Sequence, residues 1–190
     1  MKVVLIDTSD SKGGAAIAAR RLLHALAAEG VDARMLVQNK ETNDPLVFTT
    51  TNSRFKKILN FYRFAFERLL FYFREKDPSV RFAFSIANTG ENIAQNKLLK
   101  NADIIHLHWV NGGFLSLKSL EQILKLNKKI VWTLHDMWPF TGGCHHSYEC
   151  FHFTVHCGNC LFLKNPGEND LSNQILLKKL KIFKNHTINI

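Results

Sequence analysis

Val3-Val4-Leu5-Ile6 is an unbroken apolar run, too short for a helix and without the alternation of a half-exposed strand. Such a run reads as a strand covered on both faces, the arrangement of a parallel sheet. Asp7 ends it, and a polar loop leads to Gly13-Gly14. An Ala/Leu/Arg-rich helix is predicted from Ala15 to Glu29, stopped by Gly30, with a second strand over Ala33–Val37. On that helix Ala18, Leu22, Ala25 and Leu26 form the predicted core stripe. Further strands are predicted at Leu46–Thr49, Asp103–His108, Lys129–Leu134 and from Thr187 to Ile190. Helical patterns separate them at Arg54–Lys76, Glu91–Lys100, Leu117–Leu126 and Leu171–Lys184. The alternation predicts an α/β fold: a doubly wound, mainly parallel sheet with helices on both faces. At 190 residues the chain suits one domain.

A net charge of +9 favours anionic partners. No nucleic-acid recognition motif accompanies the charge, so nucleic acid is not an expected partner. No apolar stretch approaches the roughly 20 residues needed to cross a bilayer. The N-terminal run lacks the form of a signal peptide, and the expected address is the cytoplasm, with the inner face of the membrane open to it.

In open α/β sheets ligands gather beyond the carboxyl ends of the strands. Three features converge on that rim. Gly13-Gly14 follows the first strand, where backbone N–H groups can meet an anion or sugar; the G-x-G-x-x-G fingerprint of dinucleotide sites is absent. Asp103-Ile104-Ile105-His106-Leu107-His108-Trp109 is an apolar strand ending in hydrogen-bonding groups. Ile130-Val131-Trp132-Thr133-Leu134-His135-Asp136 repeats the design. His106 lies inside its strand and is expected to be buried, whereas His135 just follows one.

All four cysteines fall in a predicted insert over residues 136–165, spaced Cys144-x5-Cys150-x6-Cys157-x2-Cys160. Four thiolates can close a tetrahedral shell, so a structural Zn2+ is expected there; a disulfide pair and free thiols are the alternatives. The helix after Arg54 carries Phe55, Ile58, Leu59, Tyr62, Phe66, Leu69 and Phe73 on one face, the predicted core stripe. Lys57, Phe64, Arg68 and Phe71 lie opposite, with Lys56, Arg63 and Arg74 flanking. That mixture suits either an anionic membrane surface or a helix covered on both sides.

The blocks "DIIHLHWVNGGFLSLKSL", "IVWTLHDMWPFTGGCHHSYEC" and "CGNC", together with the first strand and its glycine pair, resemble the N-terminal domain of family 4 glycosyltransferases, in the branch acting on cell-envelope or exopolysaccharide sugars. The resemblance implies a Rossmann-like, acceptor-side domain over residues 1–190 of a retaining, two-domain enzyme. It implies a nucleotide-sugar donor and a glycan or lipid-linked acceptor. His135 would be the active-site histidine, Gly13 and Gly14 the loop facing the donor phosphates and acceptor, and His108, Trp109 and Asn111 the acceptor side. The E-x7-E pair of such enzymes belongs to the second, nucleotide-holding domain, expected to lie beyond Ile190; alone, residues 1–190 are expected to be nearly inactive. Glu67 and Glu75 match the spacing by accident. The competing reading is a non-catalytic, zinc-stapled module that binds a protein or a membrane.

Overall fold

Alternate residues of the first strand face opposite ways, and both faces are buried. The computed structural model describes residues 1–190. In β1 (Lys2–Ser9), Val4 and Ile6 enter the larger core, whereas Val3 and Leu5 enter a smaller one across the sheet. β1 is joined by β2 (Asp32–Asn39), β3 (Val47–Thr49), β4 (Ile104–Leu107), β5 (Lys129–Trp132) and β6 (Ile188–Asn189). All pairings are parallel, in the order β3-β2-β1-β4-β5-β6. This is the Rossmann order, and the expected doubly wound fold is what forms. The larger core takes Leu120 and Ile123 of α4 (Leu117–Leu124), and the smaller takes Ala19 and Leu23 of α1 (Gly13–Ala28), so helices cover both faces. α5 (Leu171–Phe183) supplies Ile175 to the larger core.

Four expectations change. The buried face of α1 is Ala16, Ala19 and Leu23, about one residue round from the predicted stripe; Ala18 and Ala25 face water. With so many alanines the apolar arc is broad, and packing rather than composition selects its centre. The helix expected from Glu91 shortens to α3 (Lys97–Asn101). Here Glu91 N–H bonds to the Phe114 carbonyl and Asn92 turns back on Ala94, satisfying backbone groups outside a helix.

The largest change is in α2 (Arg54–Tyr72). Its aromatic stripe faces outward: Phe55, Tyr62 and Phe73 are each more than 60% exposed. The inward face carries Asn60, Glu67 and Phe71. Specific polar contacts hold it there. Asn60 Nδ2 donates to Thr51 Oγ1 (2.7 Å), Glu67 Oε1 accepts Ala87 N–H (2.9 Å), and Arg68 donates to the Phe84 carbonyl (2.8 Å). Phe71 stacks on Phe84 at 4.6 Å. Glu75 pairs with Arg81. The two glutamates at x7 spacing therefore serve the fold.

Residues 136–165 do not stand apart as an insert. The segment is mostly irregular, and Cys144, Cys160, Phe162 and Leu163 join the larger core. Lys179 of α5 is fully buried, with its Nζ 3.6 Å from the centre of the Trp138 ring, and donates to the carbonyls of Trp138 and Thr141. It thereby ties that segment to the helix.

Candidate active site

The strand order reverses between β1 and β4, and their loops diverge above that point. Thr8 pins them together. Its N–H and hydroxyl both donate to the Trp109 carbonyl, at 2.8 and 3.1 Å, and the hydroxyl also reaches the Asn111 carbonyl at 3.0 Å. Asp7 adds to the clamp by accepting N–H bonds from Ser9 (3.1 Å) and Trp109 (3.3 Å). Asp10 accepts from the N–H groups of Glu41 and Thr42, fastening the β1–α1 loop to the loop after β2.

The result is a cleft of about 600 Å³. One wall is the β1–α1 connection, Asp7 to Ser9 and Lys12 to Ala15; Asn39, Trp109, His135 and Asp136 complete it. No side chain caps the start of α1, and its first turn holds no acid. The orphan N–H groups and the positive end of the helix dipole are therefore available to an anion. Gly13 has φ +85°, which favours glycine. A Cβ at Gly13 or Gly14 would meet nothing within 4 Å, so the backbone there is open to a ligand.

His135 on the opposite wall is backed by a chain of imidazoles. His106, His108 and His135 stack at 4.4 and 5.2 Å, and His108 Nδ1 lies 2.9 Å from His135 Nε2. Burial, with repulsion from His106 and His135, pushes His108 down to about 3. His106 and His135 are also lowered, chiefly by burial. All three rings are neutral at pH 7, so the 2.9 Å contact needs one donor and one acceptor. His108 Nε2 is buried without a partner. An orphaned acceptor is tolerated better than an orphaned N–H. That assigns the proton to His108 Nδ1 and leaves His135 with its own N–H on Nδ1. His135 is thus a neutral hydrogen-bond donor at the cleft wall.

Asp136 is the hub of a second network. Its carboxylate accepts Trp109 Nε1–H (2.8 Å) and Trp138 N–H (2.9 Å) and contacts His145 Nδ1 (2.6 Å). Burial works to raise its pKa, but His145 and these donors outweigh that and hold it low. Ser85 Oγ lies 2.9 Å from the far nitrogen of His145. The Ser-His-Asp series has the connectivity of a hydrolase triad, but Ser85 is buried and its own N–H and carbonyl are bonded within the fold. It orients Asp136 and the Trp109 ring. Asp7 differs: burial pushes its carboxyl up to about 6, against the pull of the Ser9 and Trp109 N–H groups.

Residues 12–156 match Glycosyltransferase Family 4. The chain belongs to that family. It is similar to a putative colanic acid biosynthesis glycosyl transferase, WcaC, of Escherichia coli (strain K12), 30% identical over 89 residues, or 43% of this chain and 22% of the relative. The chain thus matches about a fifth of the length of that curated relative. No solved structure matches significantly.

For this family 4 chain, the sequence-predicted residues divide. Gly13, Gly14, Trp109 and His135 line the cleft together. His108 and Asn111 are buried behind it: His108 abuts His135, and the Asn111 carbonyl receives Thr8. Both position the wall rather than form it. Asp7, Thr8, Ser9, Lys12, Asn39 and Asp136 were not singled out. Their signal was positional, since each follows or ends a strand at the carboxyl edge or, as Lys12 does, starts α1.

The cysteines depart from expectation. All four line one small pocket beside Phe84 and Phe162, and none is in a disulfide. No group of three or more His, Cys, Asp or Glu side chains is arranged to hold a metal ion, so the geometry gives Zn2+ no support. Burial raises the thiols, Cys157 to about 11 and Cys160 to about 12, so they stay protonated at neutral pH when no cation is bound. Cys157 Sγ instead accepts Gly142 N–H at 3.1 Å.

Proposed function

We propose that the cleft is one half of a glycosyl-transfer site. The carrying observation is that an uncapped helix N-terminus and His135 line one cleft at the switch point of the sheet. Phosphate oxygens of a nucleotide-sugar suit the N–H groups of α1, and Lys12 stands beside them. His135 donates to a sugar hydroxyl or phosphate oxygen near the reacting carbon, with His108 fixing its ring. Trp109, steadied by Asp136, offers an apolar face of the kind sugar rings stack on.

The reaction is transfer of a sugar, with retention, to a glycan or lipid-linked acceptor in assembly of a cell-envelope polysaccharide. The name of the colanic acid relative supports that class of product. In this reading a second domain supplies the nucleotide pocket and the paired glutamates. Departure of the donor phosphate requires stabilised negative charge, and preorganised N–H groups provide it without reorganisation.

The test uses the enzyme with its nucleotide-holding domain, as wild type and as His135→Ala. Loss of one preorganised donor is expected to lower turnover about 100-fold with little change in melting temperature. A variant that melts early while its folded fraction transfers sugar at the wild-type rate would make His135 structural.

A further inference from the structure

α2 is amphipathic in the reverse sense. Together with Phe73 just past its end, it presents eleven large apolar side chains that are each at least 36% exposed, a concentration that marks an interaction surface rather than scattered exposure. Phe55, Phe61, Tyr62, Phe66 and Tyr72 lie within roughly half the helix circumference, taking 100° per residue. The polar contacts of Asn60, Glu67 and Arg68 lock the inward face, so the helix cannot rotate to hide this arc without breaking them.

The charges around the arc identify its occupant. Arg54 and Lys57 are exposed along one margin, and Arg74 is exposed just past the C-terminal end. The acid within α2, Glu67, is buried. A second copy docking through the same face would set basic margins against each other with no carboxylate from either helix to pair them. An anionic lipid surface answers both features, taking the aromatic rings at headgroup depth and the cations at the phosphates. The helix is too polar to cross a bilayer.

We propose that α2 is a membrane-docking helix that lies in the headgroup region of an anionic bilayer. Its position gives the docking a purpose. Gly113, two residues beyond Asn111, packs directly on the α2 backbone: a Cβ there would lie 2.8 Å from Phe64 N. Gln38 closes the corner by donating to the Gly113 carbonyl at 3.4 Å. The lipid-facing helix therefore borders the carboxyl edge that holds the cleft, and the acceptor it suits is a glycan carried on a lipid. That last step rests on the glycosyl-transfer reading; docking itself does not.

The experiment is co-sedimentation of the protein with vesicles of phosphatidylglycerol or of phosphatidylcholine, at low and high salt. Binding to phosphatidylglycerol vesicles that weakens with salt is expected. Arg54→Glu with Lys57→Glu should weaken it at least about fivefold per reversed charge. Phe55→Ser, Tyr62→Ser and Phe66→Ser together should weaken it at least about tenfold. Melting curves report the fold of each variant; if the aromatic variant does not fold, the charge variant decides alone. Equal binding to neutral vesicles, no binding to either, or a stable dimer dissociated by the aromatic changes would overturn the proposal. Nucleotide-sugar binding by the enzyme in lipid-free solution is read in parallel, so that failure of docking and failure of the transfer site are told apart.

Discussion

Gly14 and Gly142 are both halves of a glycine pair, yet their surroundings differ. Nothing lies within 4 Å of a Cβ at Gly14, whereas one at Gly142 would sit 2.4 Å from the Ser172 carbonyl oxygen. Gly14→Ala should therefore fold as well as wild type or better, by up to about 1 kcal/mol of helix propensity, while weakening nucleotide-sugar binding. Gly142→Ala should lose roughly 1–3 kcal/mol by overpacking. Urea titration and ligand calorimetry separate the two effects. The imidazole chain carries a pH signature. Unfolded, each histidine titrates near 6.5, and in the fold all three are lowered, His108 to about 3. Between those values the unfolded chain binds protons that the folded chain refuses. Stability is full above pH 6.5 and falls as pH drops. Asp7 works oppositely: its carboxyl protonates at about 6 when folded and 3.8 when unfolded, so it offsets part of the loss between those values. Melting temperatures at pH 7, 5 and 4 should decline, and His108→Asn should flatten the curve.

Among the elements, the segment between β5 and α5 is tested through its thiols. Cys144, Cys157 and Cys160 are buried with raised pKa values, chiefly through burial, whereas Cys150 is half-buried. A thiol reagent should modify at most one cysteine quickly in the native protein and all four after unfolding. A tightly held metal would instead hide them until a chelator is added. Above pH 9 the unfolded thiols ionise before the folded ones do, so stability should fall as pH rises. This segment also marks a limit of sequence reading. Cysteine spacing shows that sulfurs gather but not whether their Sγ atoms converge on one centre. The strands were legible because a parallel sheet buries both faces, leaving runs such as Val3–Ile6 with one interpretation. The outward stripe of α2 was illegible because periodicity locates an apolar face without saying what covers it. At the rim, His135 and the glycine pair could be found from their place after strands. Asp7 could not, because its altered acidity comes from burial, which only the folded chain creates.

For the whole molecule, strand position predicts the order of opening. β1 lies between β2 and β4 and is buried on both faces, whereas β6 has two residues at an edge. Amide exchange should be slowest in β1 and in the facing residues of β2 and β4, and fast in β6; comparable rates in β1 and β6 would contradict this. The clamp at Thr8 has a further consequence, one of timing. Its partner carbonyl belongs to Trp109, 101 positions later. β1, α1 and β2 can associate as the chain emerges, because their contacts are local, but one edge of β1 waits for β4. Closing so long a loop is entropically slow. The cleft is therefore among the last features to form, and until then the nascent chain carries a bare strand edge. Conditions that stall synthesis between β2 and β4 should favour aggregation through that edge, so yield should depend on translation speed across those residues more than on the stability of the finished fold.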